Sequence, residues 1–421
     1  TNEFKRLWLW RRCNKLQLKL LIPKRREGES HPSFSNSLNM RYYSIPICLT
    51  HRCNLNCIYC YQAHDNHHEM TLDTAKECIQ YVFAHIPPES AIEFILFGGE
   101  PLLRFDLIKN IFDYTEKIDA SQKFRFFAST NGTLLTNEMI QWFLEHKENF
   151  VLGLSLDGDK ISQNINRPNS FDKIDIEFFR KTWPTQNVKM TVSQKTLGNY
   201  AKDVLYLHSL GFGINGGDIC LGNHHLNEPS MLSTLACQLA KLIPYYIQSD
   251  ALYNALLDID IALCSANRVP FKKHCGIGDT LFFLDTDGTR YPCTMITPMS
   301  FNEKTLENIS DIDYTNPRNF IDEDCESNCY LFPICKKCSA ENLLKTGSYK
   351  CWDKERCEML QLLAVTKSII EMNRIILDKS SYEEVHLYYL IESIKNIQSR
   401  YSDKVALITG YMTEDEKQMY L

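Results

Sequence analysis

Between residues 43 and 219, short apolar runs rich in β-branched and aromatic residues alternate with longer stretches whose apolar positions recur every three to four residues. That alternation is the pattern of βα units around a parallel sheet. Strands are expected at 43–50, 92–97, 123–128, 150–155, 187–192 and 213–219. Helical patterns fill 71–86, 102–118, 136–146, 172–183 and 198–210, and a stretch over 229–249 completes the sixth unit. Right-handed crossovers curl six such strands into part of a barrel, a partial (β/α)6 barrel, with functional side chains at the strands' C-terminal ends.

Beyond residue 265 the alternation stops, and Gly, Asp, Pro and Cys become frequent. Runs at 281–284 and 289–293 flank Asp287-Gly288, a pair suited to the positive φ angles of a tight hairpin. The stretch 325–357 is too poor in periodic apolar residues for a core of its own, so metal is expected to hold it together. Two helices, over 360–377 and 383–399, form the tail. The chain therefore divides into a basic N-terminal extension (1–40), a barrel (41–260), a cysteine-rich domain (261–360) and a helical C-terminal tail (361–421).

Composition is that of an ordinary soluble globular protein, with 44% hydrophobic and 23% charged residues. No apolar run approaches the ~18 residues of a membrane span, and no stretch has the form of a signal peptide. A cytoplasmic protein is expected. A net charge of -6 advertises neither nucleic acid nor membrane as a partner. Residues 1–26 carry nine Lys or Arg against the single acid Glu3. Such a segment would suit an acidic peptide, but a solvated pair of strands is the favoured reading.

Seventeen cysteines change the picture. Three fall within 53–60 and six within 325–357, and clustering without a secretory signal argues for metal over disulfides. In Cys53-Asn54-Leu55-Asn56-Cys57-Ile58-Tyr59-Cys60 three thiolates are spaced three and two residues apart. A 4Fe-4S cluster with four Cys ligands carries electrons, whereas three ligands leave one iron open. A zinc site or a redox-active thiol pair at Cys57 and Cys60 uses the same residue types.

This spacing, with Tyr59 before the last Cys, resembles the signature of the radical S-adenosylmethionine (SAM) superfamily. The resemblance implies that the open iron chelates SAM and that reductive cleavage yields a 5'-deoxyadenosyl radical. Ile95-Leu96-Phe97-Gly98-Gly99-Glu100-Pro101, after the second strand, resembles the family's GGEP segment, which contacts the SAM amino group in relatives. Glycines admit a close backbone approach, Glu100 can accept from an ammonium, and Pro101 suits a first helical turn. Ser129-Thr130-Asn131-Gly132 and Leu154-Ser155-Leu156-Asp157-Gly158 look like segments that line the SAM ribose and carboxylate. The resemblance thus implies SAM contacts at Ser129, Asn131, Ser155 and Asp157, and Arg167 falls where many relatives keep an Arg. Relatives usually have a His where this chain has Gln163 and Asn164, to which no role is given.

Cys275, twelve residues, Gly288, four residues and Cys293 resembles the opening of a SPASM domain, the auxiliary-cluster module of many peptide-modifying members. Cys325, Cys329, Cys335, Cys338 and Cys357 follow, with the spacing of the first and third pairs altered from the common one. Carried over by position, Cys275, Cys293 and Cys338 hold one cluster, and Cys325, Cys329, Cys335 and Cys357 another. The first lacks a fourth Cys, which leaves that position to substrate, to a ligand such as His274, or to a smaller cluster. A pair of structural zinc sites is the alternative for this region. Cys13, Cys48, Cys78, Cys237, Cys264 and Cys351 are left over as small buried hydrophobes, and Cys220 lies near the barrel mouth.

The resemblance implies SAM, one SAM-binding 4Fe-4S cluster and two auxiliary iron–sulfur clusters of 4Fe-4S type. It also implies a precursor peptide or protein substrate and an electron donor such as flavodoxin or ferredoxin. Thioether or carbon–carbon crosslinking of a ribosomally made peptide is the favoured reaction, with formylglycine formation in sulfatases as the alternative. A non-catalytic iron–sulfur scaffold is the alternative of another class. The ~40 residues before the barrel are too few for a leader-binding winged-helix domain of usual size.

Overall fold

The computed structural model describes residues 40–62, 68–220, 229–248, 250–266, 275–298, 300–301, 306, 312–336, 338–350 and 354–421. The basic segment 1–26, Cys13, His274 and Cys351 lie outside the described residues, as does the side chain of Cys220. All six expected strands form: β1 (Arg41–Thr50), β2 (Ser90–Gly98), β3 (Lys123–Thr130), β4 (Phe150–Leu154), β5 (Val188–Ser193) and β6 (Ile214–Cys220). Between them run α1 (Leu72–His85), α2 (Phe105–Thr115), α3 (Asn137–His146), α4 (Lys160–Asn166), α5 (Ile176–Thr182), α6 (Tyr200–Ser209) and α7 (Pro229–Ile247). Side-chain caps set several starts. Thr71 accepts from Thr74 N before α1, and Thr136 from Met139 N before α3.

β1 to β4 pair in parallel, in spatial order β4-β3-β2-β1. Buried on both faces, β1 keeps Ile45, Ile47, Cys48 and Leu49 wholly from solvent. In register across three strands, Phe94, Phe126 and Phe150 stack at 5.4 and 5.8 Å. They form an aromatic ladder under Phe112 of α2. The sheet is interrupted after β4. β5 and β6 pair separately, and a parallel bridge of Ser155 to Lys189 carries the curve across the gap.

The expected hairpin forms as β7 (Phe283–Leu284) and β8 (Arg290–Tyr291), turning at Gly288 with φ +83°. Its first strand lies parallel beside β1, Leu284 opposite Ile47, so it extends the barrel sheet. The cysteine-rich stretch is better packed than its sequence suggests: Ile277, Ile296, Phe301, Phe320, Ala340, Leu343 and Tyr349 form a small core of their own. The missing periodicity reflects residues scattered over turns, with only Ala340 and Leu343 coming from the short helix α9 (Ser339–Thr346) and none from α8 (Glu323–Asn328). The tail is α10 (Lys354–Leu377), α11 (Glu384–Arg400), α12 (Ser402–Thr409) and α13 (Glu414–Tyr420). α10 packs on α7 and α11, and its Leu362, Val365 and Ile369 join the main core. Among the described residues no helix is long and apolar enough to cross a membrane.

Candidate metal and cofactor centre

The cysteine loop leaves the end of β1 and is seated against the end of β2. Gly99 N donates to Thr50 O at 3.0 Å and Glu100 N to Arg52 O at 2.9 Å. A Cβ on Gly99 would sit 2.4 Å from Arg52 O, and one on Gly98 2.6 Å from Thr50 O. Backbone contact of that kind leaves no room for a side chain, so both glycines are required by the loop itself.

Cys53 and Cys57 are partly buried and Cys60 is exposed. Burial pushes the Cys57 thiol up to about 11, Arg167 offsets part of this, and the neighbouring Asp157, Cys53 and Cys60 raise it further. Cys53 is raised by burial too, with contributions from Glu100 and Cys60. Two thiols that resist ionisation beside a third are a group that a bound cation relieves. The loop is tied down on two further sides. Asn54 bonds Asn131 at 2.9 Å and Thr133 at 2.8 Å, and Ile58 N donates to Asn166 O at the end of α4.

Tyr59, Asp157 and Arg167 come together as one buried unit. The Tyr59 hydroxyl donates to Asp157 Oδ2 at 2.7 Å, Arg167 Nε donates to the same oxygen at 3.0 Å, and Thr191 N to Oδ1 at 2.9 Å. The guanidinium lies 5.5 Å from the Tyr59 ring centre. Glu100, 1% exposed, accepts from Thr130 Oγ1 (2.8 Å), Asn131 N (2.8 Å) and Leu102 N (3.1 Å), while burial raises its pKa. Pro101 opens the 3-10 turn Pro101–Arg104. Ser129 Oγ and Ser155 Oγ are 3.5 Å apart at neighbouring strand ends. Many of the polar atoms expected to face a cofactor thus also hold one another in place.

A second trio forms in the appended region. Burial pushes Cys293 up to about 12, and Cys338 and Cys275 raise it further. Cys338 starts α9. Cys325 lies on α8, and the backbone of Cys329 and Cys335 caps that helix and the next turn. Cys329, Cys264 and Cys357 all act on Tyr401, which burial has already raised to about 12. That brings the leftover Cys264 beside two of the expected ligands.

Sequence reasoning missed Tyr61. Although 44% exposed overall, its hydroxyl is crowded enough to be raised to about 12 by burial. It lies within hydrogen-bonding reach of Thr294 and is influenced by both Cys60 and Cys293. It therefore spans the two cysteine trios, a placement no local pattern announces.

Residues 47–177 match the Radical SAM superfamily model. The chain is 25% identical over 74% of its length to 89% of the cysteine-type anaerobic sulfatase-maturating enzyme of Clostridium perfringens. Its fold is similar to native anSMEcpe with bound AdoMet and Cp18Cys peptide, at a TM-score of 0.60 and 18% identity, over 85% of this chain and 99% of that one. It is also similar to Streptococcus suis SuiB bound to the precursor peptide SuiA. That match has a TM-score of 0.53 and 16% identity, over 75% of this chain and 76% of the other.

Proposed function

Because residues 47–177 make this chain a member of the radical SAM superfamily, we propose that it modifies a ribosomally made peptide, closing a thioether or carbon–carbon crosslink. The family implies SAM and a 4Fe-4S cluster, and this pair supplies a carbon radical able to remove a substrate hydrogen. Cys53, Cys57 and Cys60 hold three irons of that cluster. The mutual crowding of their thiols supports this reading. Gly98, Gly99, Glu100 and Pro101 form one wall of the SAM site, and Ser129, Asn131 and Ser155 another. Asp157 and Arg167 act by holding Tyr59 against the loop.

The appended region is a SPASM domain with two auxiliary clusters, on Cys275, Cys293 and Cys338 and on Cys325, Cys329, Cys335 and Cys357. A structural zinc ion is the poorer fit. Sulfurs of one zinc, bound at about 2.3 Å in a tetrahedron, lie roughly 3.8 Å apart. Among the described residues, the one group of three such ligand atoms within 4.8 Å is Cys48, His51 and Asp285, and it includes none of these seven cysteines. A small donor such as a flavodoxin or ferredoxin supplies electrons.

The observation that carries the reading is Tyr61, adjoining Cys60 and influenced by Cys293. A peptide between the two trios would meet the reacting centre on one side and an auxiliary cluster with an open position on the other. A substrate thiolate on that cluster would place its sulfur for bond formation. The peptide substrates named with anSMEcpe and SuiB support a peptide here, and the sulfatase-maturating relative favours formylglycine formation as the second reading.

The test is anaerobic reaction of the reduced, reconstituted protein with SAM and a candidate Cys-containing peptide. The expected product is two hydrogens lighter with one thiol fewer to alkylate, and 5'-deoxyadenosine appears alongside. A product with every thiol free would overturn crosslinking through sulfur; a formylglycine product would establish the second reading. No 5'-deoxyadenosine at all would leave a scaffold.

A further inference from the structure

We infer that Asp285, on the hairpin of the appended region, is a positioning residue that holds His51 and, through it, the backbone entering the SAM-cluster loop. Asp285 directly follows β7, whose pairing with β1 delivers its carboxylate to the end of that strand. Its Oδ1 lies 2.6 Å from His51 Nε2. The two side chains are 4% and 8% exposed, and Cys48, wholly buried, completes the group. The carboxylate is itself fixed, because Oδ1 also accepts from Thr286 N at 2.7 Å. Cys48 Sγ donates to Thr50 O at 3.6 Å.

A thiol, an imidazole and a carboxylate within 4.8 Å of one another would also suit a zinc ion. The separation decides against it. Two light-atom ligands at about 2.0–2.1 Å from a tetrahedral ion lie roughly 3.3 Å apart, whereas 2.6 Å is a charge-assisted hydrogen bond. His51 is the donor, from Nε2, and Asp285 the acceptor.

What His51 fixes is the approach to Cys53. Its ring stacks on His68 at 5.8 Å, nearly parallel, and the backbone N–H of His51 donates to His68 O at 3.0 Å. The carbonyls on either side of it, of Thr50 and Arg52, receive Gly99 N and Glu100 N. A turn of the His51 side chain therefore pulls on the bonds that seat the loop against the Gly98-Gly99 segment, two residues before the first cluster cysteine. Movement in the appended region, such as peptide binding would cause, reaches the SAM centre by this path.

The inference rests on the reading of Cys53, Cys57 and Cys60 as the SAM cluster, and the experiment separates the two. Wild-type protein, Asp285→Ala, Asp285→Asn and His51→Phe are reconstituted as full chains. Each is measured for iron, for zinc, for SAM affinity by equilibrium dialysis, and for the change SAM makes to the EPR spectrum of the reduced cluster. Asp285→Ala and His51→Phe are expected to keep wild-type iron, lose about tenfold in SAM affinity and show a weakened EPR response. Asp285→Asn, which keeps an acceptor oxygen, restores both to near wild type. If Asp285→Ala does not fold, the contrast between His51→Phe, which keeps the ring stack, and Asp285→Asn carries the test. Wild-type affinity and spectra in His51→Phe overturn the positioning role, as does one zinc per wild-type chain that Asp285→Asn loses. If wild-type protein neither binds nor cleaves SAM, the cluster reading itself falls.

Discussion

Replacing Asp157 by Asn removes the charge from a site that was built around it. Its carboxylate is fully buried and takes four hydrogen bonds, from the Tyr59 hydroxyl, Thr191 N and two nitrogens of Arg167. Burial works against the charge of Arg167, and Asp157, together with Tyr59 and Cys57, more than offsets this, so the guanidinium stays protonated. In Asp157→Asn that cation remains, 9% exposed, with an amide in place of its counter-ion. Removing one partner of a buried pair costs about 3–5 kcal/mol, a large share of the ~5–15 kcal/mol that holds a domain folded. With a urea m-value of about 2 kcal/mol/M, the unfolding midpoint of the barrel, followed by circular dichroism, should fall by roughly 2 M. Arg167→Met on the Asp157→Asn background removes the stranded charge and should recover part of the loss. The reasoning fails if Asp157→Asn unfolds within about 0.3 M of wild type. It fails equally if the double variant loses the sum of the two single losses.

Three further outcomes are expected. Replacing Cys53, Cys57 and Cys60 together by Ala should lower bound iron from about twelve atoms per chain to about eight and abolish SAM cleavage, read by metal analysis and by 5'-deoxyadenosine release; iron falling to zero would mean the two metal regions are not independent. Gly99→Ala forces a Cβ to 2.4 Å from Arg52 O and should displace the loop enough to lose SAM binding in dialysis, whereas wild-type affinity would show that the seat is not rigid. Burial raises Asp203 from 3.8 to about 6. The folded protein therefore binds that proton more tightly than the unfolded chain, and stability falls as pH rises from about 4 to about 6. Asp203→Asn should remove this slope and gain up to about 3 kcal/mol at pH 7.5 but nothing near pH 4. Parallel stability curves for the two proteins across that range would contradict it.

Strands β1, β2 and β5 were legible because each is a short run rich in β-branched or aromatic residues and largely buried on both faces, and such runs announce themselves without their neighbours. The seven-residue α4 was missed: it holds few apolar positions and is started by Asp159, which caps Ile161 N and Ser162 N, so periodicity had little to register. The small core around Phe320 and Tyr349 was missed for a related reason, its members arriving one per turn. Within the site, the spacing of the cysteines and the glycine pair were visible in the chain. Their partners were not. Tyr59 and Asp157 are joined across 98 positions, and His51 and Asp285 across 234; neither pairing has a local signature. Glu100 was expected to face an ammonium, and three donors from the chain itself already bind its carboxylate.

The pairing of Leu284 with Ile47 also orders events during synthesis. One edge of β1 finds its partner β2 within some fifty residues; its other edge is covered early only near Thr50, by residues 68–70, and from Ser44 to Ile47 it has none until β7 has been made. At about 5–20 residues per second, that edge waits on the order of 10–50 s with its backbone donors and acceptors uncovered. An unpaired edge beside Ile45 and Ile47 is a template for strand addition by another nascent chain. A ribosome stalled near residue 260 would therefore carry a half-made protein prone to self-association. The hairpin that brings Asp285 to His51 is also the piece that retires this hazard, so completing the sheet and anchoring the loop become a single late step.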